Sequence, residues 1–441
     1  MSGSHVTRYA AYKESGVEWI DIIPDSWKIL HLKNCVRKKI TDGPHVTPNF
    51  IDDGVPFLSV EAVQDGGLNF ASKRGYISEA DDRLFSLKCK PKRNDIFIVK
   101  SGSTTGKVGY VSTDENFNIW SPLALVRCGK NFYPRYVFLF FSSSYFQQQV
   151  ERFWSFGTQP NIGMGVIEAL QIAVPPLPEQ TAIAAYLDKK TAQIDRQVEL
   201  LNKKVVQYGK LKQSLINETV TRGLDSSVPM KESGVEWIGQ VPSHWEILRG
   251  KDIFEQTKNK AGLVSSSYDV LSLTLKGVIK RDLDNMKGKI PASFDGYQIA
   301  NPGNLVLCLF DMDVTPRIVG FVNQLGIITS AYTVLRGLKN VDMKYFLYYY
   351  LEQNRNGSLL ANSKTLRSTM TYDLFSQLQL PVPPITEQTA IAAFLDEKTA
   401  QIDRIVSTIN TQIDKLKELR KTLINDVVTG KIKVITEGEL A

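Results

Sequence analysis

The stretch of this chain best suited to chemistry is Ser101-Gly-Ser-Thr-Thr-Gly-Lys107-Val108. A strand entering a Gly/Ser/Thr loop that ends in lysine offers backbone N–H groups and an ammonium to a phosphate. The spacing is wrong for a nucleotide. Gly102 to Gly106 is one residue too short, and Val108 stands where a Ser or Thr should hold magnesium. The corresponding stretch of a second copy, Asp311-Met-Asp-Val-Thr-Pro-Arg317, has no glycine. An NTPase reading fails. Contact with a nucleic-acid backbone remains, through Lys100, Ser101, Ser103, Thr104, Thr105 and Lys107 in the first copy and Thr315 and Arg317 in the second. A solvated turn is the evenly weighted alternative.

Other reactive groups are scattered. His5, His31, His45 and His244 form no nucleophile or metal pattern, and no HExxH pair occurs. Cys35, Cys89, Cys128 and Cys308 lie far apart, as reduced thiols in a cytoplasm would. No GxGxxG follows a strand to hold a dinucleotide or S-adenosylmethionine, and no NPPY-like tetrapeptide is present to flip an adenine. The chain therefore reads as a binder with no catalytic residues, no metal and no cofactor of its own. Its 441 residues, 43% apolar, are enough for two or three cores. The net charge of +7 permits a nucleic-acid partner without demanding one. No run approaches the ~18 apolar residues of a membrane span, so a cytoplasmic, soluble protein is expected.

The elements that must position these residues are duplicated. EQTAIAAYLDKKTAQIDR from Glu179 returns as EQTAIAAFLDEKTAQIDR from Glu387, and KESGVEWI at Lys13–Ile20 returns at Lys231–Ile238. A period of this length means tandem domains, not a solenoid. Apolar residues at steps of three, four and seven after Ile183 and after Ile391 predict two long amphipathic helices. Pro178 and Thr386 suit their starts, and Gly223 and Gly430 their stops. Each would run about 43 residues, roughly 65 Å, and needs a partner for its stripe. The other copy, set antiparallel, is the simplest; packing of each helix on its own domain is the alternative. Asp95–Val99 and Asn304–Leu309 read as buried strands, and Tyr136–Phe141 and Tyr345–Tyr350 as core helices. Asp95 aligns with Asn304, Ser121 with Ser330, Arg127 with Arg336 and Tyr136 with Tyr345, while most other residues differ. Identical helices suggest two equivalent docking surfaces; divergent domains suggest two different targets.

Val174-Pro-Pro-Leu-Pro-Glu-Gln180 before a long helix, its copy Val382-Pro-Pro-Ile-Thr-Glu-Gln388, the lead-ins Glu14–Trp27 and Glu232–Trp245, and the Asn94–Gly102 passage together resemble the specificity subunits of type I restriction-modification systems. The match spans nearly the whole chain. It implies a mixed α+β fold: two globular α/β target-recognition domains separated by two long antiparallel helices forming a coiled coil, with pseudo-twofold internal symmetry. The expected segments are 1–23, target-recognition domain 24–178, helix 179–223, connector 224–241, target-recognition domain 242–386, helix 387–430 and tail 431–441. It further implies an asymmetric bipartite DNA target with one half-site per domain. Two methyltransferase subunits would dock on the helices and restriction subunits would join them, with S-adenosylmethionine, ATP and magnesium held by those partners. Gln159, Asn161, Lys364 and Arg367 are the side chains expected to read base edges. The second copy departs from the first at Lys364–Ser368, opposite Thr158–Asn161, so base contacts do not transfer directly. A non-catalytic coiled-coil scaffold and a methyltransferase or nuclease acting alone are the competing readings.

Overall fold

A computed structural model of the protein describes residues 7–64, 66–154, 160–235, 238–283, 293–361, 363 and 368–434. The chain divides into two compact units, 1–201 with 411–441, and 202–410. Each unit has its own mixed α/β domain, half of the first long helix (Leu177–Arg222) and half of the second (Ile385–Val428).

The first unit is built on a four-stranded antiparallel sheet ordered Val108–Tyr110, Ile96–Val99, Leu123–Val126, Thr41–Asp42. The second repeats the order with Val319–Phe321, Leu305–Leu307, Thr333–Gly337 and Phe254–Thr257. The strands Ile96–Val99 and Leu305–Leu307 are wholly buried, which accounts for continuous apolar runs in place of alternation. A second strand pair, Lys28–His31 with Gln171–Val174 or Glu246–Arg249 with Gln379–Val382, delivers the chain to each Pro-Pro and into the long helix. Elsewhere the units part. The first adds a sheet of Asn118–Ile119, Val55–Leu58 and Gly75–Ile77, whereas the second has two antiparallel pairs, Leu271–Thr274 with Gly277–Lys280 and Gln298–Ala300 with Gly326–Ile328.

The helices begin one residue before the expected Pro178 and Thr386, and they end where Gly223 and Gly430 take positive φ of 76° and 75°. A side chain at Gly430 would meet Pro24 Cδ at 2.3 Å, so close approach adds to the conformational demand there. Both expectations for the helix stripe hold within each unit. Ile183, Ala184 and Leu187 pack into the first domain's core, and Ile424, Val427 and Val428 of the second helix join the same cluster. Ile391, Ala392, Leu395 and Val220 do the same in the second unit. The pairing is antiparallel. Asp195 Oδ1 lies 2.9 Å from Arg420 Nε, an ion-pair contact off the hydrogen-bond angle, and Lys212 Nζ donates to Asp403 at 2.7 Å. The two pairs are equivalents, because Asp195 and Asp403 occupy the same place in the repeat.

The identical Gln of each repeat is a buried clamp. Gln180 accepts from Tyr133 N (2.8 Å) and donates to Pro175 O (2.9 Å) and Asn131 O (3.2 Å). Gln388 accepts from Asp342 N (2.8 Å) and donates to Pro383 O (2.8 Å) and Asn340 O (3.3 Å). Tyr136 and Tyr345, fully buried, donate to the end of the opposing helix at Val428 O (3.2 Å) and Val220 O (3.1 Å). Much of the repeat is thus held constant by packing inside its own unit.

Candidate nucleic-acid interface

In the first unit the strand Ile96–Val99 leaves the sheet through Lys100 into the loop Ser101–Lys107. That loop is pinned by a returning segment. Ile162 N donates to Lys100 O (2.8 Å), Gly102 N to Pro160 O (3.1 Å), and Ser101 bridges Asn161. Thr105, buried, turns its hydroxyl inward to Gly102 O (2.8 Å) and Pro160 O (3.0 Å). Ser103, Thr104 and Lys107 are left exposed at the tip. Of these, Thr104 and Lys107 face a cavity of about 700 Å³ shared with Arg135 and Arg420, while Lys100 faces elsewhere.

Lys100 binds Asp42, a carboxylate only 5% exposed, which also takes Lys88 Nζ at 2.5 Å. His45 Nε2 stands 3.3 Å from the same carboxylate. Burial pulls the Asp42 carboxyl up, but the two ammonium groups outweigh it and hold it below the usual carboxylate range. Lys88 donates in addition to Gly43 O (2.8 Å), and a side chain at Gly43 would collide with Ile119 O at 2.0 Å. One buried ionic node therefore fixes the bases of two loops, 43–50 and 101–107. Their tips, including His45 and the 70%-exposed Val46, stay open to solvent. A preorganised rim with exposed polar tips is suited to reading an extended ligand edge.

Neither Asp42 nor Lys88 belongs to any sequence motif, and His45 stands among four histidines without a pattern. The node closes across 46 and 58 residues of chain, so no local spacing reveals it. The nearest signal is the turn dipeptide Asp42-Gly43.

The second unit keeps the frame and changes the rim. Met370 N donates to Leu309 O (2.7 Å) and Met312 N to Ser368 O (3.2 Å), as at Ile162 and Gly102. Sheet register places Leu309 where Lys100 stands and Lys258 where Asp42 stands. In place of ions there is a half-exposed ring stack, Phe310 on Tyr332, centroids 5.9 Å apart and 14° between planes. Thr315 lies 4.0 Å from Cys308 Sγ. Arg317 is half-buried, donating to Val319 O (2.9 Å) and Leu275 O (3.0 Å). Burial draws its guanidinium below the ordinary arginine range. Gln159, Lys364 and Arg367 lie outside the described residues. Both gaps directly precede the pinned return segments at Pro160 and Ser368.

Among the described residues no group of three or more His, Cys, Asp or Glu is placed to hold a metal ion, and no helix is long and apolar enough to cross a membrane.

Comparison with known proteins agrees with this architecture. The putative type I restriction enzyme MjaX specificity subunit of Methanocaldococcus jannaschii is 24% identical over 446 residues, covering 96% of this chain and 98% of its own. The type I restriction enzyme MjaVIII specificity subunit of the same organism is also 24% identical, covering 93% and 94%. Among solved structures, a chain from work on complex assembly and conformational transition of the type I R-M system matches with a TM-score of 0.69 at 15% identity. That match covers 93% of this chain and 99% of the other. The crystal structure of the HsdS subunit from Thermoanaerobacter tengcongensis matches at 0.53 and 16% identity, covering 93% and 98%. The model of the type I restriction modification DNA specificity domain matches residues 47–204 and 319–415, more than half of the chain, and the chain belongs to that family.

Proposed function

We propose that this chain is the DNA-reading subunit of a type I restriction-modification complex, recognising an asymmetric bipartite target with one half-site per unit. The observation that carries the asymmetry is the contrast at the rim. The same sheet and the same pinned loop carry an ionic node in one unit and an aromatic stack in the other. Two equal frames with unlike rims suit two unlike base sequences.

The chain supplies recognition, and the methyl transfer, translocation and cleavage belong to partner subunits that bring S-adenosylmethionine, ATP and magnesium. Two methyltransferase subunits dock on the repeated helices. What favours this is a set of exposed positions that are identical in both copies: Thr181 and Thr389, Ala185 and Ala393, Ala192 and Ala400, Arg196 and Arg404. They fall on one helical face at steps of four, seven and four.

Co-expression with the cognate methyltransferase and sequencing of methylated adenines tests the reading. A split, non-palindromic site is expected. A palindromic site removes the asymmetry, and methylation by the purified chain alone removes the division of labour.

A further inference from the structure

The first unit has a second cationic feature beside the rim. A cleft of about 560 Å³ lies between Lys38–Thr41, leading into the edge strand, and Ser86–Lys92, which follows the helix Glu79–Ser86. Six cations line it: Lys38, Lys39, Lys88, Lys90, Lys92 and Arg127. Three are matched from behind by buried acids. Lys88 lies 2.5 Å from Asp42, Lys90 2.6 Å from Asp82 and Arg127 2.6 Å from Asp95. Lys38, Lys39 and Lys92 are exposed, and among the described residues their ammonium groups have no acid within ion-pair distance.

Three unmatched ammonium groups around one concavity make a local positive potential larger than the chain's mild net charge suggests. The cleft is continuous with the reading rim, because Lys88 lines it and also holds Asp42 and Gly43 O. Among the described residues the second unit shows no equivalent cluster. By sheet register Glu255 takes the place of Lys39. Ile299 and Asn301 take the places of Lys90 and Lys92; Asn301 N donates to Asn304 Oδ1 (2.8 Å) as Lys92 N donates to Asp95 Oδ2 (2.7 Å).

We propose that this cleft seats the phosphodiester backbone of DNA next to the first half-site, by charge and without reading bases, so that the complex grips one end of its target more strongly than the other. The proposal rests on the chain being a DNA-specificity subunit. Flexible exposed lysines suit it, since they neutralise phosphate as point charges and do not impose base geometry.

The test uses the assembled complex carrying Lys38→Gln, Lys39→Gln and Lys92→Gln together. Affinity for target and non-target duplexes should fall by the same factor, about tenfold or more at 0.1 M salt. The slope of log affinity against log salt should become shallower by about 2 to 3. The methylated sequence should not change. Arginine at all three positions should restore the slope, which a lost fold would not allow. An unchanged slope, a changed first half-site, or failure of the arginine variant overturns the proposal. A wild-type complex with no salt-sensitive DNA binding overturns the DNA reading itself and is a separate outcome.

Discussion

At the same corner of the same sheet, the first unit holds a buried carboxylate between two lysines and the second holds two stacked rings. Where each domain joins its helices the units agree group for group: Tyr136 with Tyr345, Gln180 with Gln388, each making the same three or two bonds. The difference separates two kinds of constraint. Positions that join a domain to its helices must satisfy buried polar atoms, and a lost partner there is costly wherever it occurs. Positions at the rim must only be held still, and ions or rings do that equally well while presenting different chemistry to a ligand.

Exchanging residues 24–176 for the matching segment of another family member has the largest expected effect. The first half-site should be replaced completely while the second and the methylation chemistry persist, as read by sequencing methylated DNA. If both half-sites change, the units do not read independently.

Next in size is Asp42→Ala. Removing one partner of a buried ion pair should cost about 3 kcal/mol and loosen discrimination at the first half-site only, measured by denaturation and by methylation mapping. Lys258→Gln, at the equivalent but exposed position, should cost under about 0.5 kcal/mol. Equal losses would mean that the node has no special role.

The shared frame predicts a matched pair of smaller effects. Gln180→Ala and Gln388→Ala should each destabilise by about 2 kcal/mol, since each leaves a buried N–H and carbonyl groups unpaired. Neither should alter which bases are read. A large inequality in calorimetry would show that the clamps are not equivalent.

Acid gives the gentlest test. Asp42 and Asp82 are both buried and both held below the usual carboxylate range, against burial, by lysine partners, with Asn118 and Asn116 also bonded to Asp82. A depressed folded-state value stabilises the fold fully above the unfolded value of about 3.9 and less as pH falls through the folded one. Stability of the first unit should therefore fall at acid pH. The stability gap between wild type and Asp42→Asn should shrink there, as followed by Tm against pH. A gap independent of pH would mean that the carboxylate charge is not what holds the loops.

The frame was legible because its signals are local. The strands around Ile96–Val99 and Leu305–Leu307, the helix at Tyr136 and the long helices came from runs, periods and end residues that act over a few positions. The rim was legible only in part. Lys100, Ser101 and Asn161 do meet, yet Lys107 turns toward the Arg135 and Arg420 cavity, and Arg317 bonds back to its own strands and hairpin. A Gly/Ser/Thr/Lys pattern states which groups are present and not where each points.

By itself the sequence determined the duplication, the helix limits at Gly223 and Gly430, and the family, because repetition, periodicity and αL termination are written in residue order. Only the tertiary structure decided that Asp42 gathers Lys88 and Lys100, that Lys38, Lys39 and Lys92 are left uncompensated in one cleft, and that each unit is completed by the far half of the other repeat's helix. Those outcomes depend on which distant groups share a low-dielectric space or a common concavity. Pairing across dozens or hundreds of residues leaves no local spacing to read.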